Sequence, residues 1–174
     1  MALLKSPLLT EKSVDLIIDQ IKNNFNLQLK ELDNQYSDGI NLEPLDDNAI
    51  HISDKIQALT LPSVYVLYGA SAFQYSENPN YMQSEDEALV VLRAVEIGAD
   101  SLTRKMYRYG RVLYGILNLV DLVDDGDRLK IKLIPTRLGY TQPVTEKLQK
   151  EEQRFSMDVV VELKVLHYEK NLTV

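Results

Sequence analysis

Through the first thirty-odd residues, apolar side chains return at every third or fourth position: Val14, Ile17, Ile18, Ile21, Phe25, Leu29 and Leu32. Asp15, Asp19, Lys22, Asn23 and Lys30 fill the gaps, so the period lays one buried stripe along a helix. Ser6-Pro7 and Thr10 each offer a start, because a hydroxyl accepts from orphaned backbone N–H groups and proline is tolerated at the first helical position. Turn-forming pairs at Asp33-Asn34 and Asp38-Gly39 end it. Ile40 to Thr60 is mixed, with a short helix expected around Asp54 to Leu59.

The next stretches read mostly as strands. "LPSVYVLYG" is rich in β-branched and aromatic residues, with Pro62 at its mouth and Gly69 at its exit. "ASAFQYSENPNYMQSED" reads as a polar loop. "EALVVLRAVEIGA", apolar almost without break from Ala88 to Val95, predicts a central strand covered on both sides. Asp100 or Ser101 then caps a second helix, whose stripe is Leu102, Met106, Tyr109, Leu113, Ile116, Leu117 and Val120. Gly110 lies on the edge of that stripe. Glycine inside a helix costs about 1 kcal/mol relative to alanine, so its presence predicts a close approach to the sheet. "DLVDDGDR" reads as a turn into "RLKIKLI", which alternates strictly, with Leu129, Ile131 and Leu133 on one face. In "FSMDVVVELKVLHY", Phe155, Met157, Val159, Val161, Leu163 and Val165 share a face; this is the strongest strand pattern in the chain.

The order helix, strand, strand, helix, strand, strand predicts an α+β fold: one domain over 1–174, with two main helices on one face of a mostly antiparallel sheet. Two connections exceed what a hairpin needs. They are residues 70–86 and 135–154; in the second, Pro135, Gly139 and Pro143 mark irregular chain and "VTEKLQKEEQ" a helical turn. Both carry large apolar groups, Phe73, Tyr75, Tyr81 and Met82 in one and Leu138 and Tyr140 in the other. That content reads as contact arms rather than solvated linkers.

Composition narrows the function more than the fold. The 174 residues carry 19 Lys+Arg against 26 Asp+Glu, a net charge of −7. No cysteine is present, which removes disulfides, thiolate metal sites and cysteine nucleophiles together. The start of the chain lacks the apolar core of a secretory signal, and no run approaches the length of a membrane span, so a soluble protein is expected. His51 and His167 stand far apart in sequence, and His167 continues the apolar face of the last strand as a packed residue. Asp121, Asp124, Asp125 and Asp127 invite a calcium loop, but Val123 and Lys132 fall where liganding oxygens are needed. No P-loop, G-x-G-x-x-G or nucleophile elbow occurs. The expectation is a protein without catalysis, cofactor or metal.

The second helix remains. "LTRKMYRYGRVLYGIL" places Arg104, Arg108 and Arg111 in a stripe flanked by Tyr107 and Tyr114. Three readings fit. The stripe is a solvated face with arginine stems along tyrosine rings, a protein interface, for which Tyr and Arg are the favoured residues, or a nucleic-acid grip of phosphate contacts and base stacking. The acidic total weighs against the last.

The long first helix, "LPSVYVLYG", the strand "EALVVLRAVEIGA" running directly into "DSLTRKMYRYGRVLYGIL", and the strands "RLKIKLI" and "RFSMDVVVELKVLHYE" together resemble the tail terminator (tail completion) proteins of long-tailed bacteriophages and related contractile tail machines. The resemblance implies a subunit that forms a ring with copies of itself, usually a hexamer. Such a ring caps the tail tube, stops its polymerisation and docks to a head connector or stopper, within the virion and, during assembly, in the bacterial cytoplasm. DNA would only pass through the acidic lumen, and no membrane is involved. The arginine stripe and the long arms, with Phe73, Tyr75, Tyr81, Leu138 and Tyr140, would then supply subunit and partner contacts. Another neck or connector protein, or a nucleic-acid-binding module using the Arg/Tyr-rich helix, are the alternatives.

Overall fold

The computed structural model describes residues 6–52, 61–75, 81–118, 120–124, 129–146 and 153–170. Helix α1 spans Ser6–Asp33 and α2 spans Ala99–Leu117. The strands are β1 (Ile50–His51), β2 (Ser63–Tyr75), β3 (Tyr81–Glu96), β4 (Val120–Asp124), β5 (Leu129–Tyr140), β6 (Val144–Glu146) and β7 (Arg154–Lys170). They form one sheet in the order β1-β2-β3-β7-β5-β4, with β6 also on β7. Every pairing is antiparallel except β1 with β2. This is the α+β architecture expected from the element order.

Strand β7 is the spine. Its period of two sends Met157, Val159, Val161, Leu163, Val165 and His167 inward, all under 5% exposed. Ala88, Val90, Leu92 and Ala94 of β3 and Leu129, Ile131 and Leu133 of β5 join the same layer. Both helices cover this face. Helix α1 closes it with Val14, Leu16, Ile17, Ile21, Phe25, Leu29 and Leu32, and α2 with Leu102, Met106, Tyr109, Leu113 and Leu117.

Several expectations are corrected. Residues 71–75 and 81–86 are strand, not loop: β2 continues past a register shift between Tyr68 and Ser71, so Gly69 sits at a bulge and does not end the strand. There the O of Glu87 would lie 3.1 Å from any Cβ at position 69. Pro135 behaves likewise. β5 runs through it to Tyr140 with a shift between Pro135 and Arg137, at a point where β4 no longer pairs with β5 and no ladder bond on that side is lost. β6 then follows along the same strand of the sheet, so most of 135–146 is sheet. "DLVD" is β4, not a turn, and Val120 lies in it instead of on α2. The second face of β3 is not covered: Leu89 is 39% exposed and Val91 and Val95 are half-buried. The helical turn expected over "VTEKLQKEEQ" is corrected at its start, where Val144–Glu146 is strand β6 paired with β7; its residues 147–152, and the short helix expected around Asp54–Leu59, lie outside the described residues.

Candidate interaction surface on helix α2

Helix α2 follows β3 after only Ile97 and Gly98. Its N-cap is Gly98, not Asp100 or Ser101; Ser101 instead donates its hydroxyl to the Gly98 carbonyl at 2.9 Å. The amphipathic period then divides its polar groups between two environments.

Of the four cations between Leu102 and Leu117, two turn inward. Lys105 is 6% exposed and Arg108 is 7% exposed. Lys105 Nζ donates to Glu43 Oε1 at 2.9 Å and Oε2 at 3.1 Å, and also meets Glu96 Oε2. Burial pulls the ammonium pKa down, but the two carboxylates more than offset this and hold it above its ordinary value. In return Lys105 holds the Glu96 carboxyl below its ordinary range. Tyr109 donates to the Glu43 carbonyl at 3.0 Å, and burial followed by the Glu43 charge pushes its phenol up. Arg108 pairs with Asp38 and lies 4.0 Å over the Tyr36 ring, and its hydrogen bond holds the Asp38 carboxyl low. Asn26 adds two 2.8 Å bonds to the backbone of Leu45. The inward cations of α2 therefore clamp the chain's own segment after α1, residues 36–45.

Two arginines remain outside. The Arg104 side chain is 67% exposed, with Asp38 only at 4.0 Å, and Arg111 is exposed with no ion pair among the described residues. Between them stands Tyr107, 53% exposed. Its ring meets Tyr140 of β5 edge-to-face at 4.9 Å. Gly110 makes room for that pair, since a Cβ there would fall 2.6 Å from the Tyr140 hydroxyl. The close approach is thus to a side chain of the sheet. Tyr114 is half-buried and lines, with Arg111, Gln28, Glu31 and Gln35, a groove of about 350 Å³ between the two helices. Leu138 is half-buried against the core. Two outward guanidinium groups on this helix, one of them already 4.0 Å from Asp38, are a thin basis for tracking a phosphate backbone, where affinity grows with each phosphate neutralised.

The expected contact residues do not form one surface. Arg104, Tyr107, Arg111, Tyr114 and Tyr140 come together, while Arg108 is interior. Phe73, Tyr75 and Tyr81 lie at the far end of the sheet, and their side chains are outside the described residues. In register, Tyr140 faces Val159 and Phe73 leads through Ser84 to His167. Eight strand positions between Val159 and His167 amount to about 27 Å.

A second polar cluster escapes a reading by motif. His167 Nε2 lies 2.5 Å from Ser13 Oγ, its Nδ1 lies 3.0 Å from Ser84 Oγ and 3.5 Å from Asp86 Oδ2, and Tyr68 donates to Asp86 Oδ2 at 2.6 Å. The pattern fits a proton on Nδ1, leaving Nε2 to accept from Ser13. Hydroxyl, imidazole and carboxylate stand in the order of a nucleophile relay, yet Ser13, His167 and Asp86 are 0%, 1% and 2% exposed. The hydroxyl is closed to solvent. The cluster ties α1 to β3 and β7. Extending the β3 alternation backwards from Ala88 would have placed Asp86 and Ser84 inward beside His167.

No protein-family model matches the sequence, and no curated protein does. Among solved structures, the chain aligns with one from the virion of a native gene transfer agent particle. The TM-score is 0.34 and the identity 12%, over 84% of this chain and 94% of that one. So slight a likeness carries neither fold nor function across. Among the described residues no helix is long and apolar enough to cross a membrane, and no cluster of metal-binding side chains occurs.

Proposed function

We propose that this chain is a structural subunit of a phage-type virion: a tail terminator whose copies close into a ring on the end of a tail tube, stop its growth and dock to the head connector. The observation that carries this reading is the outer face of α2. Arg104, Tyr107 and Arg111 on one helix, with Tyr114 and Tyr140 beside them, gather the residue types favoured at interface hot spots, and all but the half-buried Tyr114 are exposed. The order and texture of the elements, resembling tail terminators, supply the kind of assembly. No chemistry is assigned to the chain; its work is shape and valence. A closed ring needs heterologous contacts, one patch meeting a different patch on the next copy. With a net charge of −7 per copy, such a ring would let DNA pass without adhering.

Adding the purified protein to polymerising tail-tube subunits tests the reading. Tube growth should stop, and electron micrographs should show a ring at one end. Tubes that lengthen unchanged, without bound protein, would remove it.

A further inference from the structure

We infer that the outer strip of α2 on one copy receives the acidic strip on the first half of α1 of a second copy, with the two helices antiparallel. The inference rests on the reading of the chain as a self-assembling subunit and names the contact through which copies meet.

The warrant is a match of charge order. Along α2 the exposed charged residues run Asp100, Arg104, Arg111: negative, positive, positive. Along α1, taken from its middle toward its start, they run Lys22, Asp19, Asp15, Glu11: positive and then negative throughout, again all exposed. Asp100, Arg104 and Arg111 on one strip, and Lys22, Asp19 and Glu11 on the other, are spaced by about one helical turn and then about two, over roughly 16 Å. Laid antiparallel, Asp100 meets Lys22, Arg104 meets Asp19, and Arg111 meets Glu11. Tyr107 then stands opposite Asp15, the remaining exposed carboxylate of the α1 strip, and its phenol can donate to it. Apart from the 4.0 Å approach of Arg104 to Asp38, these charged groups make no ion pair among the described residues.

The strips cannot satisfy each other within one chain. Arg111 sits beside Gln28, Glu31 and Gln35 at the far end of α1, about 20 Å along the helix from Asp15. A parallel arrangement would set Asp100 against Glu11 and Arg111 against Lys22, so charge fixes the polarity as well as the partner. Because the two strips are different surfaces of one chain, the contact is heterologous and passes from copy to copy.

Two charge-reversed variants test this, since all the substituted side chains are exposed and none packs in the core. R104E/R111E makes both strips acidic, and E11K/D19K makes both basic. Each variant alone should lose every species above the monomer in native mass spectrometry under conditions where the wild type assembles. An equimolar mixture should recover assemblies in which the two variants alternate. Variants that assemble alone like the wild type, or a mixture that stays monomeric while the wild type assembles, would overturn the contact and leave the terminator reading to its tube assay. A wild type that never exceeds the monomer, with or without tail tubes, overturns the contact too. The terminator reading falls separately, when tubes grow past the protein.

Discussion

Lys105 and Arg104 are neighbours in sequence and opposites in role. A cation that leaves water must find carboxylates, and Lys105 finds two, whereas Arg104 keeps its hydration. Replacing Lys105 with Met keeps the stem but strands Glu43 and Glu96. Because both acids are partly exposed, the loss in urea unfolding should be about 1–2 kcal/mol, below that of a fully buried broken pair. Arg104→Ala should fall within about 0.5 kcal/mol of the wild type. His167 adds a pH dependence. Burial holds its pKa below the ordinary 6.5, although Asp86 pulls the other way. As pH falls below about 6.5 the unfolded chain takes up the proton first, so this contribution is complete above that value and is lost as pH drops toward the folded-state pKa. Unfolding free energy should therefore decline between pH 7 and pH 5, and His167→Gln should flatten that slope. The Glu96 carboxyl, lowered by Lys105, contributes its own loss only below the ordinary carboxylate range, so the two windows separate. An NMR titration placing the His167 imidazole above 6.5 would contradict the assignment.

At the scale of elements, what could be read in the sequence was periodicity, and what could not was the meaning of punctuation. The stripes of α1 and α2 and the inward face of β7 are periodic over many residues, and the structure buries them nearly residue for residue. Gly69 and Pro135 are single residues that end strands in most settings, but here each marks a bulge in a strand that continues. The neighbours decide. Asp86 and Ser84 look like loop residues until a buried histidine faces them across the sheet. The charge split on α2 was hidden for the same reason: its buried cations depend on acids from Asp38, Glu43 and Glu96, which only the fold brings there. The packing of α2 on β5 through Gly110 can be measured. Gly110→Ala gains about 1 kcal/mol of helix propensity but drives the Tyr140 ring away from Tyr107, an edge-to-face pair worth about 0.5–1.5 kcal/mol. In the wild-type background the two effects should nearly cancel. In a Tyr140→Ala background the same change should stabilise by about 1 kcal/mol, and a coupling near zero in this double-mutant cycle would mean the ring does not rest on Gly110.

For the whole molecule, two surfaces compete to be the meeting place of copies, and they differ in physics. One is the charged strip of α2. The other is the sheet face turned away from the helices, where Leu89 is 39% exposed and Leu67, Val91, Val95 and Val160 are half-buried. That face is crossed by ion pairs within the sheet: Arg93–Asp158 at 2.7 Å, Lys164–Glu85 at 2.7 Å and Arg137–Glu162 at 3.4 Å. An antiparallel sheet can leave such a face wet. Salt tells the surfaces apart. Raising ionic strength from about 0.15 M to about 1 M shortens the Debye length from about 8 Å to about 3 Å, which screens exposed charge pairs but leaves apolar burial intact. Copies that meet through Arg104 and Arg111 should dissociate over that range, seen as a fall in weight-average mass by light scattering. The repulsion between copies of net charge −7 is screened as well, so salt alone favours association through an apolar face. Mass that holds or rises in high salt would therefore move the contact from the helix to the sheet.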